Sequence, residues 1–267
     1  MVRPKKSLGQ NFLVDKNIIK KILSLVNISE NNIIEIGPGT GSLTNEILKK
    51  NPSNFLLIEK DINLYRKLKE NNKNNKIFSI FNDDILNFDL EKKIKKNSII
   101  FGNLPYNIST QILVKMIKFK NWPPNYKKLI FMFQREVAER ILAKFNTKKY
   151  GRLKVITSWR LRVSKSFHIS KNCFYPVPKV DSTILVFEPI KNKNFVIQNL
   201  GNLEKITEIL FSGKRKMINK AFAKLFKNSK YVSDKLKINL SYRPSELSEE
   251  DFYKITEYFE NYKKADN

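Results

Sequence analysis

The sequence predicts a mainly parallel α/β sheet followed by a small all-helical C-terminal domain. Short apolar runs alternate with stretches of helical spacing up to residue 187, and most of them stop on glycine, asparagine or an acid. Beyond residue 194 only helical periodicity is left. A chain of 267 residues, 41% of them hydrophobic, is long enough for one large core and one smaller one.

The elements follow in order. Ile18, Ile19, Ile22, Leu23 and Val26 recur at helical spacing over residues 17–26. Residues 33–36 form a β-branched run that stops at Gly37, Gly39 and Gly41, a strand and tight loop leading into a helix. Residues 55–58 end at Glu59, a helical stretch follows Asp61, and residues 77–81 end at Asp83 and Asp84. Residues 99–101 end at Gly102 and Asn103, and a helix then runs through Ile117. A strand over residues 129–133, a helix over 136–143 and a strand over 184–187 complete the sheet region. Ligands of such a sheet bind at the carboxyl ends of its strands, where the chemically distinctive residues fall.

Residues 189–194 read as a polar linker, dividing a catalytic domain at 1–189 from a helical domain at 190–267. In the latter, Met217, Ile218, Ala221, Phe222, Leu225 and Phe226 predict an apolar helix face. The opposite side carries Lys214, Arg215, Lys216, Lys220, Lys224 and Lys227, read either as an RNA contact or as a solvated face. Phe252, Ile255, Phe259 and Tyr262 make a second apolar face.

The formal charge of +26, from 51 basic and 25 acidic side chains, points to a polyanionic partner. Residues 1–189 hold 35 basic against 15 acidic side chains, so most of the charge lies with the sheet. Composition tempers the inference, because 42 Lys against 9 Arg with 31 Asn is also what a biased source composition produces. The single Cys173 excludes an internal disulfide and a cysteine-based zinc cluster, and the lone His168 excludes a multi-histidine metal site. No apolar run approaches ~18 residues and the N-terminus has no apolar signal-like segment, so a soluble, cytoplasmic protein is expected.

Glu35-Ile-Gly37-Pro-Gly39-Thr-Gly41 after a strand lets a ligand approach the main chain closely. Glu59, 22 residues after Gly37, can accept hydrogen bonds from both ribose hydroxyls of an adenosine-containing ligand. NAD and S-adenosylmethionine both fit this much. The dinucleotide fingerprint wants a third glycine where Ser42 stands, which favours the methyl donor. Asp84 is placed to take the adenine amine, whereas Asp83 is expected to be exposed. A glycine turn with no ligand is the plain alternative.

Asn103-Leu104-Pro105-Tyr106 is the sharpest feature. An exocyclic adenine amine is a poor nucleophile because its lone pair is delocalised into the ring. Its two protons can be met by the Asn103 side-chain oxygen and the Leu104 carbonyl, while Pro105 locks the turn and Tyr106 offers a stacking face for a flipped base. The competing reading is a β-turn over a buried tyrosine.

These residues carry a resemblance. Leu8-Gly9-Gln10-Asn11-Phe12-Leu13, Glu35-Ile36-Gly37-Pro38-Gly39, Phe101-Gly102-Asn103-Leu104-Pro105-Tyr106-Asn107-Ile108-Ser109, Tyr150-Gly151-Arg152-Leu153 and Phe174-Tyr175-Pro176-Val177-Pro178-Lys179-Val180-Asp181-Ser182 span most of residues 7–182. With a weaker match at Gly213-Lys214-Arg215-Lys216, the chain resembles the ribosomal RNA adenine N6,N6-dimethyltransferase family. The resemblance implies a class I S-adenosylmethionine-dependent methyltransferase, Rossmann-like with a helical C-terminal domain. It also implies two methyl transfers to each of two adjacent adenines in the 3′-terminal hairpin loop of small-subunit (16S) rRNA, with no metal.

By position the family places S-adenosylmethionine against Asn11, Leu13, Gly37, Glu59, Asp84 and Asn103. It places the target base against Asn103, Leu104 and Tyr106, with Phe174 closing on its other side. The segment before Asn11 folds over the donor site in this family. A monomer acting on the immature small ribosomal subunit, with Lys214, Arg215, Lys216 and Lys220 on RNA, is the expected assembly. Tyr175 and Val177 occupy variable places of their motif. His168 reads as a surface histidine, Cys173 as packing, and Trp122 and Trp159, the latter in an apolar strand, as core or loop anchors. Rival readings are a resistance-type methyltransferase of large-subunit rRNA and a non-catalytic RNA-binding factor. Intact Glu59, Asp84, Asn103 and Tyr106 oppose the second.

Overall fold

The computed structural model describes residues 4–5, 8–191 and 194–265. Residues 192–193 of the expected linker lie outside the described residues. The chain forms two compact units, Met1–Ala138 with Val163–Pro189, and Glu139–Arg162 with Ile190–Asn267. The second unit therefore includes residues 139–162, which the division at residue 189 leaves with the sheet. A shared core is the reason, since Tyr150, Val155 and Trp159 are buried in one cluster with Leu203, Ile206, Phe222 and Phe252.

In chain order the elements begin with β1 (Phe12–Leu13), α1 (Lys16–Leu23), β2 (Asn32–Ile36), α2 (Ser42–Leu48), β3 (Asn54–Glu59) and α3 (Ile62–Asn71). They continue with β4 (Phe78–Asn82), α4 (Leu90–Lys93), β5 (Ser98–Gly102), α5 (Ser109–Ile117), β6 (Tyr126–Gln134) and α6 (Arg135–Leu142). Then come α7 (Arg152–Arg160), β7 (Leu161–Ile169), β8 (Phe174–Tyr175) and β9 (Ser182–Pro189). The last helices are α8 (Leu200–Phe211), α9 (Asn219–Ala223), α10 (Ser229–Leu236) and α11 (Glu249–Ala265).

Among the described residues seven strands make one sheet in the order β4-β3-β2-β5-β6-β9-β7. The pairs β4–β3, β3–β2, β2–β5 and β5–β6 are parallel and β6–β9 is antiparallel. The chain builds outward from β2 through β3 to β4, then returns to lay β5 on the other side of β2. That reversal opens a crevice at the carboxyl ends of β2 and β5. Ile33, Phe55, Leu57, Phe101 and Ile130 of the sheet bury against Ile19, Ile22 and Leu23 of α1 and Leu43 and Ile47 of α2. The Asp15 carboxylate starts α1 by accepting from the Asn17 and Ile18 N–H groups. A separate two-stranded ribbon pairs Phe12 with Tyr175 and Leu13 with Phe174. No helix among the described residues is long and apolar enough to cross a membrane.

Two local expectations are corrected. Trp159 lies in α7 and not in a strand, because Val155 and Trp159, four residues apart, share one helix face, with the Trp159 ring 4.8 Å from that of Tyr253. Lys214, Arg215 and Lys216 lie in a turn and not on a helix. The Lys216 N–H closes on the Gly213 carbonyl, Ile218 bonds to the Tyr242 carbonyl, and Met217 is exposed. Helix α9 starts only at Asn219, so Lys220 alone of the four basic candidates is helical.

Within the second unit, Glu260 on α11 is buried and accepts from the main-chain N–H of Gln198 and Asn199 and from Asn202 Nδ2. It thereby satisfies donors that the start of α8 leaves open. Glu260→Ala should destabilise this unit by about 2–4 kcal/mol, the scale of losing charge-assisted hydrogen bonds. Urea unfolding followed by circular dichroism should show a lowered midpoint, and an unchanged midpoint would mean that water replaces this carboxylate at no loss.

Candidate active site

The crevice holds a cavity of about 240 Å³. Asn11, Leu13, Gly37, Glu59, Asp84, Asn103, Leu104 and Tyr106 all line it, coming from five places in the first unit. The structure thus brings together every donor-site residue the sequence pointed to, and three of the four target-base residues.

Gly37 follows β2 with φ +65°, and a Cβ built there would meet nothing within 4 Å. The main chain is therefore bare toward open space at the point where a ligand must come close. Glu59 ends β3 and is 5% exposed. Its Oε2 accepts from the Gly39 N–H at 3.0 Å and its Oε1 from the Asp61 N–H at 2.8 Å. A carboxylate has about four lone-pair sites, so two remain for a ligand. Burial pushes the Glu59 carboxyl above its ordinary value, and the two N–H bonds offset that only in part. Asp84 beyond β4 accepts from the Leu86 N–H at 2.9 Å and pairs with the Lys60 ammonium at 2.7 Å. Burial alone would raise Asp84, but Lys60 and the Leu86 N–H outweigh it and hold the carboxyl below its usual range. Asp83 is exposed, as expected.

The turn after β5 is set by a close approach. A Cβ on Gly102 would fall 2.5 Å from Leu104 Cδ2, so only glycine lets Leu104 fold back against the strand. Asn103 Nδ2 donates to the Asn11 carbonyl at 2.9 Å, which ties the turn to the N-terminal segment and leaves Oδ1 as the acceptor. The Tyr106 hydroxyl bonds Ser182 Oγ at 2.6 Å, holding the ring at the cavity wall. Burial raises the Tyr106 phenol, which stays neutral and serves as a ring face and not as a base. Ser182 ends the Phe174–Ser182 motif, and nothing in the sequence marks it as the tyrosine's anchor.

The N-terminal segment is fastened over the same cavity. Gln10 Nε2 donates to Asp61 at 3.2 Å and Lys5 Nζ lies 3.0 Å from the same carboxylate. Burial would raise Asp61, but Lys5, the Asn63 N–H and Gln10 together hold it below its ordinary value.

Phe174 is not among the residues that line the cavity. Its side chain is 2% exposed and belongs to the core cluster with Leu13, Ile22, Ile130 and Ile184, four residues that themselves line the cavity. The ribbon register pairs it with Leu13, one of those lining residues. His168 is exposed, with Nδ1 2.9 Å from Thr183 Oγ1, and Cys173 packs against the core. Lys214, Arg215, Lys216 and Lys220 are all exposed in the second unit, and Lys214 Nζ donates to the Lys148 carbonyl.

Glu35, on the cavity wall, is 3% exposed, and burial pushes its carboxyl up to about 8 against the hydrogen bond from Thr44. An acid whose folded pKa exceeds its unfolded 4.5 binds more protons in the native state. Stability is therefore fully present below about 4.5 and is lost as pH rises toward about 8. Glu35→Gln should abolish that loss in thermal melts taken across the interval, and a melting curve whose pH dependence survives the substitution would place its origin elsewhere.

A model of the ribosomal RNA adenine dimethylase family matches residues 1–261 of the chain. The ribosomal RNA small subunit methyltransferase A of Pelagibacter ubique is 44% identical over 260 residues, covering 97% of this chain and 98% of that protein. The protein of the same description from Francisella tularensis subsp. novicida is 38% identical over 263 residues, 96% and 97% of the two. A dimethyladenosine transferase structure from Plasmodium falciparum matches with TM-score 0.79 at 26% identity, covering 94% of this chain and 98% of that one. The 23S rRNA methyltransferase ErmE, at TM-score 0.66 and 21% identity over 93% and 99%, shares the fold. The sheet order and these likenesses make the first unit a class I, Rossmann-like methyltransferase fold. The chain belongs to the ribosomal RNA adenine dimethylase family.

Proposed function

We propose that this protein dimethylates the N6 amines of two adjacent adenines in the 3′-terminal hairpin loop of small-subunit (16S) rRNA, within the immature small ribosomal subunit. It takes its methyl groups from S-adenosylmethionine and works as a cytoplasmic monomer in subunit biogenesis. The observation that carries the reading is the Asn103–Tyr106 turn at the end of β5, opening on the same cavity as Glu59 and Asp84.

The donor set fits S-adenosylmethionine. Glu59 has lone pairs left for the ribose hydroxyls, Asp84 takes the adenine amine, and bare main chain at Gly37 admits the ligand. Asn11, Leu13 and Asn103 complete the contact. When bound, the donor supplies an electrophilic methyl group on sulfur. Asn103 Oδ1 and the Leu104 carbonyl accept the two protons of the target amine and turn its lone pair toward that methyl. Tyr106 stacks on the base. The rate comes from positioning and electrostatics and needs no strong base, because the amine becomes acidic once alkylated and then gives its proton to water. The helical unit, residues 139–162 included, assists RNA docking through Lys214, Arg215, Lys216 and Lys220.

The reading is tested by incubating the protein with labelled donor and unmethylated small ribosomal subunits and mapping the modified nucleotides. Label in large-subunit rRNA instead would select the resistance-type activity, and no label would favour a binding-only role. Three variants refine it. Glu59→Ala should weaken donor binding in calorimetry by about 1.5–3 kcal/mol, the worth of a hydrogen bond to a charged group, and undiminished affinity would remove Glu59 as the ribose ligand. Asn103→Ala should lower the single-turnover rate at saturating donor by ~100-fold or more. Near wild-type activity would refute the chemistry assigned to the turn. Reversing the charge of two among Lys214, Arg215, Lys216 and Lys220 should flatten the salt dependence of subunit binding by about one unit of slope per lost phosphate contact. An intact slope would leave docking to the sheet unit.

A further inference from the structure

The ribbon that buries Phe174 puts its neighbour on the other side. Residues directly opposed in an antiparallel pair share a face, so Tyr175 lies beside Phe12 while Phe174 lies beside Leu13 in the core. Phe12 lines the cavity and sits on the glycine loop, close enough that a Cβ on Gly39 would be 2.9 Å from its ring. Tyr175 itself is 54% exposed.

The chain then carries two more exposed apolar side chains, Val177 at 56% and Val180 at 43%, before it reaches Ser182, the anchor of the Tyr106 hydroxyl. Three exposed apolar side chains therefore lie along the chain between the ribbon strand beside Phe12 and the anchor of Tyr106. Exposed Lys171 and Lys179 belong to the same stretch. An exposed aromatic ring with cations on either side is how single-stranded nucleic acid is held without reading its sequence. A second copy of this chain is disfavoured as the occupant by its own charge of +26, whereas RNA is drawn to it.

We infer that Tyr175 is the stacking platform for an unpaired RNA base next to the adenine in the cavity, with Val177 and Val180 extending the surface and Lys171 and Lys179 meeting the phosphates. The inference rests on the rRNA reading above. It concerns a base beside the target adenine and is separate from the role proposed for Tyr106.

The experiment is single-turnover methyl transfer at saturating donor over a range of unmethylated small-subunit concentrations. Tyr175→Ala should raise the half-saturating subunit concentration by roughly ten-fold, within the span expected for one stacked base. Calorimetric affinity for S-adenosylmethionine should not change, and Tyr175→Phe and Tyr175→Trp should restore subunit affinity. A Tyr175→Ala protein that matches wild type overturns the platform, as does a Tyr175→Phe protein as weak as the alanine variant. A change in sedimentation mass with no change in subunit affinity would make this stretch an interface between copies and would likewise overturn the platform. A wild-type protein that transfers no methyl to subunits defeats the rRNA reading and the platform together. An active wild type with an unaffected Tyr175→Ala strikes only the platform.

Discussion

The Glu59 carboxylate is the interaction on which the site depends. It leaves the end of β3 and reaches the main chain in two directions, to the Gly39 N–H of the glycine loop and to the Asp61 N–H at the head of α3. Both contacts are buried, where an unmet donor costs about 1–3 kcal/mol. The loop after β2 and the turn after β3 are therefore held to one another by a single side chain. Asp61, positioned by that turn, caps α3 with one oxygen and takes Lys5 and Gln10 of the N-terminal segment with the other. The Asn11 carbonyl in that segment then receives Asn103. One chain of hydrogen bonds links the residues proposed for the donor to the residues proposed for the base.

The sheet was legible because its strands are short apolar runs that stop abruptly, and the stops at Gly37, Glu59, Asp84 and Asn103 become the cavity lining. Spacing also told the methyl donor from the dinucleotide, through Ser42. Three things were not legible. Phe174 and Tyr175 are adjacent aromatics of similar size, and which of them faces the core is decided by pairing with β1, more than 160 residues away in sequence. Gly213 breaks the basic helix suggested by Lys214 to Lys227, although the apolar residues Ile218, Phe222, Leu225 and Phe226 still bury. Residues 139–162 join the helical unit through core contacts that no local pattern announces.

Electrostatics divide the labour inside the cavity. Glu35 and Glu59 are acids whose carboxyls are raised by burial. Asp61, as buried as those two, and Asp84 are instead held below their ordinary range by partners that include Lys5 and Lys60. A ligand that brings hydroxyl donors and positive charge meets acceptors without displacing a strong ion pair at the inner wall, while the rim keeps lysines for a polyanion.

One buried carboxylate builds this site, and the same carboxylate is the one proposed to bind the donor's ribose. A crystal structure of the protein with S-adenosylhomocysteine measures this most directly. The account predicts both ribose hydroxyls within hydrogen-bond distance of the Glu59 carboxylate, with the Gly39 and Asp61 N–H bonds kept. A ribose bound elsewhere in the cavity, or a Glu59 that must leave those two amides to reach it, would contradict the account.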